Sequence, residues 1–201
     1  MKSLRVSAIL TSLAGYLLTA IPSAGQSQLP LGLTEVRGGI NVTGVELWTG
    51  FQPYPGLEKY RSLDTVEVEL MFAPPSDTFL RYLGNPEINL GGHLSTLGRA
   101  SMVHLGLTWS SHLFETPLFI EGTVGGALTN STLGSATPPD RNVGCPALLY
   151  FNAGLGYQFD EHWSVLVDAY HASHASLCWV LAPGAPNEGL NGYGIKVGYR
   201  F

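Results

Sequence analysis

The last nine residues of the chain alternate without a break. Tyr193, Ile195, Val197, Tyr199 and Phe201 share one side of an extended strand, and Gly194, Lys196, Gly198 and Arg200 share the other. Successive side chains of a strand point to opposite faces, so one face is apolar with aromatics at both ends and the other is small or basic. That is the face a strand shows to lipid when it crosses a bilayer. At the edge of a soluble sandwich it would instead be an aromatic ladder open to pairing with other chains.

The pattern recurs upstream. Val66, Val68, Leu70 and Phe72 alternate with Glu67, Glu69 and Met71; Val103, Leu105, Leu107 and Trp109 with His104, Gly106 and Thr108. Leu149 through Phe159 and Trp163 through Ala169 repeat it, and weaker alternation covers 35–45, 87–95 and 118–129. Counting the C-terminal strand gives eight, each near the ~9–11 residues that cross a bilayer at a tilt. Composition agrees: only 12% of the 201 residues are charged, about half the roughly 25% usual in soluble domains. No apolar run beyond residue 30 is long enough for a membrane helix. The expected fold is all-β: a single eight-stranded antiparallel transmembrane β-barrel of the bacterial outer membrane over 26–201.

Residues 1–25 read as a cleaved signal peptide. Lys2 and Arg5 form a positive start, 6–20 an apolar stretch, and Ser23, Ala24 and Gly25 a small-residue cleavage site after Ala24 or Gly25. An N-terminal anchor is the alternative, but the run is short for a span. With 10 Lys+Arg against 15 Asp+Glu and a net charge of −5, a nucleic-acid-binding surface is excluded. No zinc spacing or phosphate loop is present, so neither a metal nor another cofactor is expected. Ending on Phe201 resembles the signal by which the outer-membrane assembly machinery recognises its barrels.

Barrel parity puts Arg37, Glu67, Glu69, Glu87, Glu121, Asp168, Lys196 and Arg200 inside. Eight strands leave room for such side chains and little else, which argues against a pore and moves function to the outer wall or the loops. The connections at 46–64, 130–146 and 175–190 are long, as outer loops are, and 160–162 is a short periplasmic turn. The 74–86 connection is long for the periplasmic side, and the alternation offers no reason for its length. Cys145 and Cys178 lie equally far from the turn at 161 and 162. They should face each other at the extracellular end, where a disulfide persists; two separate buried thiols are the alternative.

In the seventh strand the outward face continues to His171 and Ser173. Same-face neighbours lie roughly 6.5–7 Å apart at Cα, within reach for a base and a nucleophile. Polar groups on a lipid-facing wall are costly unless used or interfacial. The pair alone fits two headgroup-level polar residues as well as a catalytic dyad.

From about 97 to 201 the chain resembles the outer-membrane lipid A 3-O-deacylase family, also called acyloxyacyl hydrolases. The resemblance rests on Leu105-Gly106-Leu107-Thr108-Trp109, the 119–130 strand with Glu121 and Gly125-Gly126, and Tyr170-His171-Ala172-Ser173. The segment Pro186-Asn187-Glu188-Gly189-Leu190-Asn191 and the closing Gly198-Tyr199-Arg200-Phe201 complete it. It implies a barrel in the outer membrane that acts on lipid A of lipopolysaccharide among the outer-membrane lipids, hydrolysing the ester-linked acyl chain at position 3 without a cofactor. By resemblance Ser173 is the nucleophile and His171 its general base.

Two positions depart from the family pattern. His174 stands where an asparagine is common; it is a candidate oxyanion donor if its ring turns outward, although parity points it inward. The triad acid aligns with Asn191, which by parity faces outward beside the seventh strand. Glu188, three residues earlier, is the nearest carboxylate and the alternative partner for His171. The apolar segment 177–182, with Trp179, is a candidate cover for acyl chains or a loop packed on its neighbours. The expected activity is that of a carboxylic ester hydrolase. The rival is a non-catalytic structural or surface-interaction barrel on the same scaffold, with Asn191 and His174 marking lost activity.

Overall fold

The computed structural model describes residues 32–46, 52–53, 63–75, 79–134, 141–180 and 183–201. Residues 1–25, expected from sequence to be a cleaved leader, and most of the first outer loop lie outside the described residues. Eight strands form the barrel: β1 (Leu33–Thr43), β2 (Leu63–Phe72), β3 (Glu87–Ser95), β4 (Met102–His112), β5 (Leu118–Thr129), β6 (Ala147–Gln158), β7 (Trp163–Ser173) and β8 (Leu190–Arg200). Each pairs antiparallel with its sequence neighbours, and β1 closes the barrel against β8 with Glu35 opposite Arg200 and Val42 opposite Tyr193. Outside the barrel, Val45–Glu46 pairs with Gln52–Pro53.

Closure follows from the alternation, because only one face of each strand tolerates hydrocarbon. Val103, Leu105, Val167 and Val197 are half exposed on the outer wall, whereas Glu67, Glu69 and Lys196 are fully buried inside. The interior is a charge network. Arg37 donates to both carboxylate oxygens of Glu121 (2.6 and 2.8 Å) and, through Nε, to Glu35 (2.7 Å). Higher up, the Lys196 ammonium sits 3.3 Å from Glu67, 3.1 Å from Glu69 and 3.2 Å from Asp168. Above these, His93, His104, Tyr150 and Tyr170 form one aromatic layer, with Tyr150 stacked on His104 and Tyr170 and the His93 ring tilted against both tyrosines. Large inward rings are accommodated opposite glycine: Tyr170 lies over Gly192 and Phe119 over Gly156, each pair being cross-strand partners. A cavity of about 460 Å³ at the periplasmic mouth is bordered by Glu35, Arg37, Glu87 and Arg200 among others.

Connection lengths orient the barrel, with both strand ends near Leu33 and Arg200 and the tight β6–β7 turn on the periplasmic side. That turn is capped by Asp160, whose carboxylate accepts the backbone N–H of His162 and of Trp163 (2.8 Å each). These two bonds hold its pKa below the usual carboxylate value. Ladder pairs such as Leu149 with Ser173 and Tyr157 with Val165 centre the hairpin on Glu161. Cys145 and Cys178 lie just beyond the ladder and are bonded, with Cα atoms 6.2 Å apart. The aromatic C-terminal face is present too: Tyr199 packs edge-on against Trp163 and Phe201.

Candidate active site

Two strand ends build the site. On β7 the outward row runs Trp163, Val165, Val167, Ala169, His171, Ser173, and on β8 it runs Asn191, Tyr193, Ile195, Val197. Ladder register sets Asn191 opposite His171 and, on the other side, Phe151 of β6 opposite the same histidine. Parity alone therefore delivers three polar side chains to one patch of the apolar wall, at its extracellular end.

They form a continuous chain of hydrogen bonds. Nδ1 of His171 lies 2.5 Å from Oδ1 of Asn191, and Nε2 lies 2.9 Å from Oγ of Ser173. An amide oxygen only accepts, so Nδ1 carries the proton and donates it to Asn191. That leaves the Nε2 lone pair to accept the hydroxyl hydrogen of Ser173, the tautomer a general base needs. Ser173 and Asn191 are buried and His171 is half-buried. Gly189 closes the far side of the ring: its φ is +68°, and a Cβ there would approach Cε1 of His171 to 3.3 Å.

Immediately after Ser173 the backbone turns sharply. Ala175 and Ser176 both adopt left-handed φ (46° and 65°), and Leu177 N–H donates to His174 O (2.8 Å) to close the turn. Non-glycine residues are uncommon there, and each costs of order 1–3 kcal/mol. Several ties hold the turn: the Cys145–Cys178 disulfide, the indole N–H of Trp179 on Ala185 O (2.9 Å), and two bonds from His174. Its ring Nε2 donates to Pro186 O (2.9 Å), and its backbone N–H to Asn187 Oδ1 (3.2 Å).

The structure thus hydrogen-bonds Ser173, His171 and Asn191 in series, while Glu188 bonds to the neighbouring loop and His174 faces inward. The Glu188 carboxylate accepts the backbone N–H of Asn142 (2.7 Å) and pairs with Arg141 at 3.8 Å, fastening the 184–189 loop to the neighbouring one. His174 does not turn outward as an oxyanion donor requires: its ring is buried and engaged with Pro186. Of the apolar segment after the turn, Leu177, Trp179 and Val180 are exposed, while 181–182 lie outside the described residues. Sequence reasoning assigned no role to Asn187 or Gly189. The signal for Gly189 was a glycine one residue before a strand, where only a residue tolerant of positive φ starts it in that direction. Among the described residues no group of His, Cys, Asp and Glu has the arrangement of a metal centre.

Comparison with known proteins bears on the same region. The crystal structure of the outer membrane enzyme PagL superposes with a TM-score of 0.52 at 17% identity, covering 82% of this chain and 97% of that one. The N-terminal β-barrel domain of Pseudomonas aeruginosa OprF gives 0.49 at 13% identity, with 85% and 99% covered. No curated protein matches the chain by sequence. The model of the family described as lipid A 3-O-deacylase (PagL) matches residues 64–200, which run from the second residue of β2 to the end of β8 and include every residue of the hydrogen-bonded chain. The chain belongs to the lipid A 3-O-deacylase family, with the outer-membrane barrel fold that goes with it.

Proposed function

We propose that this protein is a serine esterase that removes the 3-O-linked acyl chain of lipid A in the outer leaflet. One observation carries the reading: Asn191, His171 and Ser173 are hydrogen-bonded in series on a wall otherwise given to hydrocarbon. Polar groups at that depth are costly without a use, and the extracellular end of the wall is where lipid A resides.

In this reading Ser173 Oγ attacks the ester carbonyl while His171 Nε2 takes its proton. As the ester C–O bond breaks, the imidazolium gives that proton to the departing sugar oxygen, which leaves as a hydroxyl with the acyl group on Ser173. Water then attacks the acyl carbonyl as His171 takes its proton, and His171 passes that proton to Ser173 Oγ as the C–O bond breaks and the fatty acid leaves. With His174 N–H committed to Asn187, we assign the oxyanion to the backbone amides of Ala175 and Ser176 in the left-handed turn. Phe151, beside His171 and 42% exposed, offers the acyl chain an apolar bed. Outer-membrane lipids are both solvent and substrate.

Asn191 explains how a triad works without its carboxylate. Replacing a triad acid by an amide costs about 10⁴ in rate where the amide fixes the wrong tautomer. Here Oδ1 faces Nδ1, so the productive tautomer is kept and only the charge that would stabilise the imidazolium is missing. The test is deacylation of lipid A by the purified barrel in detergent micelles, with Ser173→Ala as control. A wild-type protein no faster than that variant sinks the proposal and leaves the non-catalytic reading.

A further inference from the structure

The second half of the connection after β2, residues 79–86, is a built element. Phe79–Leu83 forms a turn of 3-10 helix. It is closed by Asn85 N–H on Leu80 O (3.0 Å) and Gly84 N–H on Arg81 O (3.3 Å). Gly84 and Asn85 have φ of 88° and 53°. This bonding is that of a Schellman cap, and Pro86 follows it where a helix cannot continue. A capped turn has one shape, so the faces it presents are fixed.

Leu80 is the buried side. Phe79, Tyr82 and Leu83 are 68%, 77% and 46% exposed. Arg81 stacks over the Tyr82 ring (4.7 Å to the centroid) and donates to its hydroxyl (2.6 Å). What fastens the turn is Trp109, on the outward face of β4 at its periplasmic end: its indole N–H donates to Leu83 O at 2.7 Å. The exposed apolar cluster is therefore continuous with the lipid-facing wall of Val103, Leu105 and Trp109.

We infer that Phe79–Leu83 is a foot seated in the phospholipid of the periplasmic leaflet. Phe79, Tyr82 and Leu83 enter the boundary between headgroups and acyl chains, and Arg81 meets a lipid phosphate. Three observations select lipid over a soluble partner. The cluster adjoins the hydrocarbon belt through Trp109. Aromatic side chains concentrate at that depth in membrane proteins, as Trp163, Tyr199 and Phe201 do elsewhere on this rim. Arg81 adds a cation with donors left over after Tyr82, suited to phosphate. In the strand order the foot lies across the barrel from β7, so it fixes the depth of the wall opposite the catalytic hairpin.

The test uses the full barrel in nanodiscs of phosphatidylethanolamine and phosphatidylglycerol, read by nuclear magnetic resonance. Backbone amides of 79–83 should broaden when lipids carry a nitroxide near the headgroup and should be shielded from a water-soluble gadolinium chelate. Amides of Glu161 and His162, in the polar periplasmic turn, should do the reverse. The doubly substituted Phe79→Ser, Tyr82→Ser barrel should lose the lipid broadening over 80–83, and Arg81→Gln should weaken it. Wild-type amides at 79–83 as open to the chelate as Glu161 would overturn the inference. Shielding from the chelate without lipid broadening would overturn it too, since a protein partner or second copy would then cover the cluster.

Discussion

Oδ1 of Asn191 lies 2.5 Å from Nδ1 of His171, the place where a catalytic carboxylate would hold the imidazole. An amide there orients the ring and fixes its proton without charge. Hydrogen bonds to charged groups are worth about 1.5–3 kcal/mol against about 0.5–1.5 for neutral ones. The isosteric Asn191→Asp should therefore raise the deacylation rate about tenfold, measured on lipid A in mixed micelles. Asn191→Leu, which removes the orienting group, should lower it. A slower Asn191→Asp barrel with unchanged stability contradicts the role assigned to Asn191.

The turn after Ser173 stores strain at Ala175 and Ser176 and is tied down by Cys145–Cys178. A Cys178→Ser barrel should stay folded, showing the usual heat-dependent gel mobility, yet lose most of its deacylation rate as the turn relaxes. Adding Ser176→Gly, which adopts positive φ freely, should recover part of that loss. Equal activity with and without the disulfide would show that the turn holds itself.

Inside the barrel one ammonium answers three carboxylates. Lys196→Met leaves Glu67, Glu69 and Asp168 facing one another, and breaking such a buried set costs about 3–5 kcal/mol. Urea unfolding in micelles should show that loss, with Glu67→Gln in the same chain restoring part of it. An unchanged midpoint would mean that the carboxylates are satisfied without Lys196.

The capping turn at Asp160 has its own pH signature. Its pKa is depressed by the backbone N–H groups of Trp163 and His162. Its contribution is therefore full above the pKa of the unfolded chain and is lost as pH falls through the lower, folded value. Asp160→Asn should flatten the acid limb of the stability curve at the β6–β7 turn, read as amide exchange at Trp163. An acid limb identical to wild type would assign the acid sensitivity elsewhere.

How much of this was legible depends on which residues obey period two. Every barrel strand was, because a lipid-facing Val103 or Val167 and a lumen-facing Glu69 or Lys196 cannot exchange faces, whereas the short pair Val45–Glu46 and Gln52–Pro53 fell in what reads as outer loop. The meeting of Asn191, His171 and Ser173 was legible for the same reason, since register and parity alone place them. The cysteine pair followed from distance to the turn, even though the ladder centres on Glu161. Loops obey no such rule. Glu188 lies in such a loop, and no spacing in the sequence announces that its carboxylate takes the Asn142 backbone N–H and pairs with Arg141. Parity already pointed His174 inward, where its ring is buried against Pro186; what no local propensity requires is the turn of two left-handed residues that follows it. The 74–86 connection reads as excess length because the capped turn at 79–85 has, by composition, the look of a loop.

The most direct measurement is mass spectrometry of lipid A from outer membranes that contain the wild-type barrel or its Ser173→Ala variant at equal level. The account expects loss of one ester-linked acyl chain from position 3 with wild type and intact lipid A with the variant. Intact lipid A with both, from barrels that show the normal mobility shift, would contradict it.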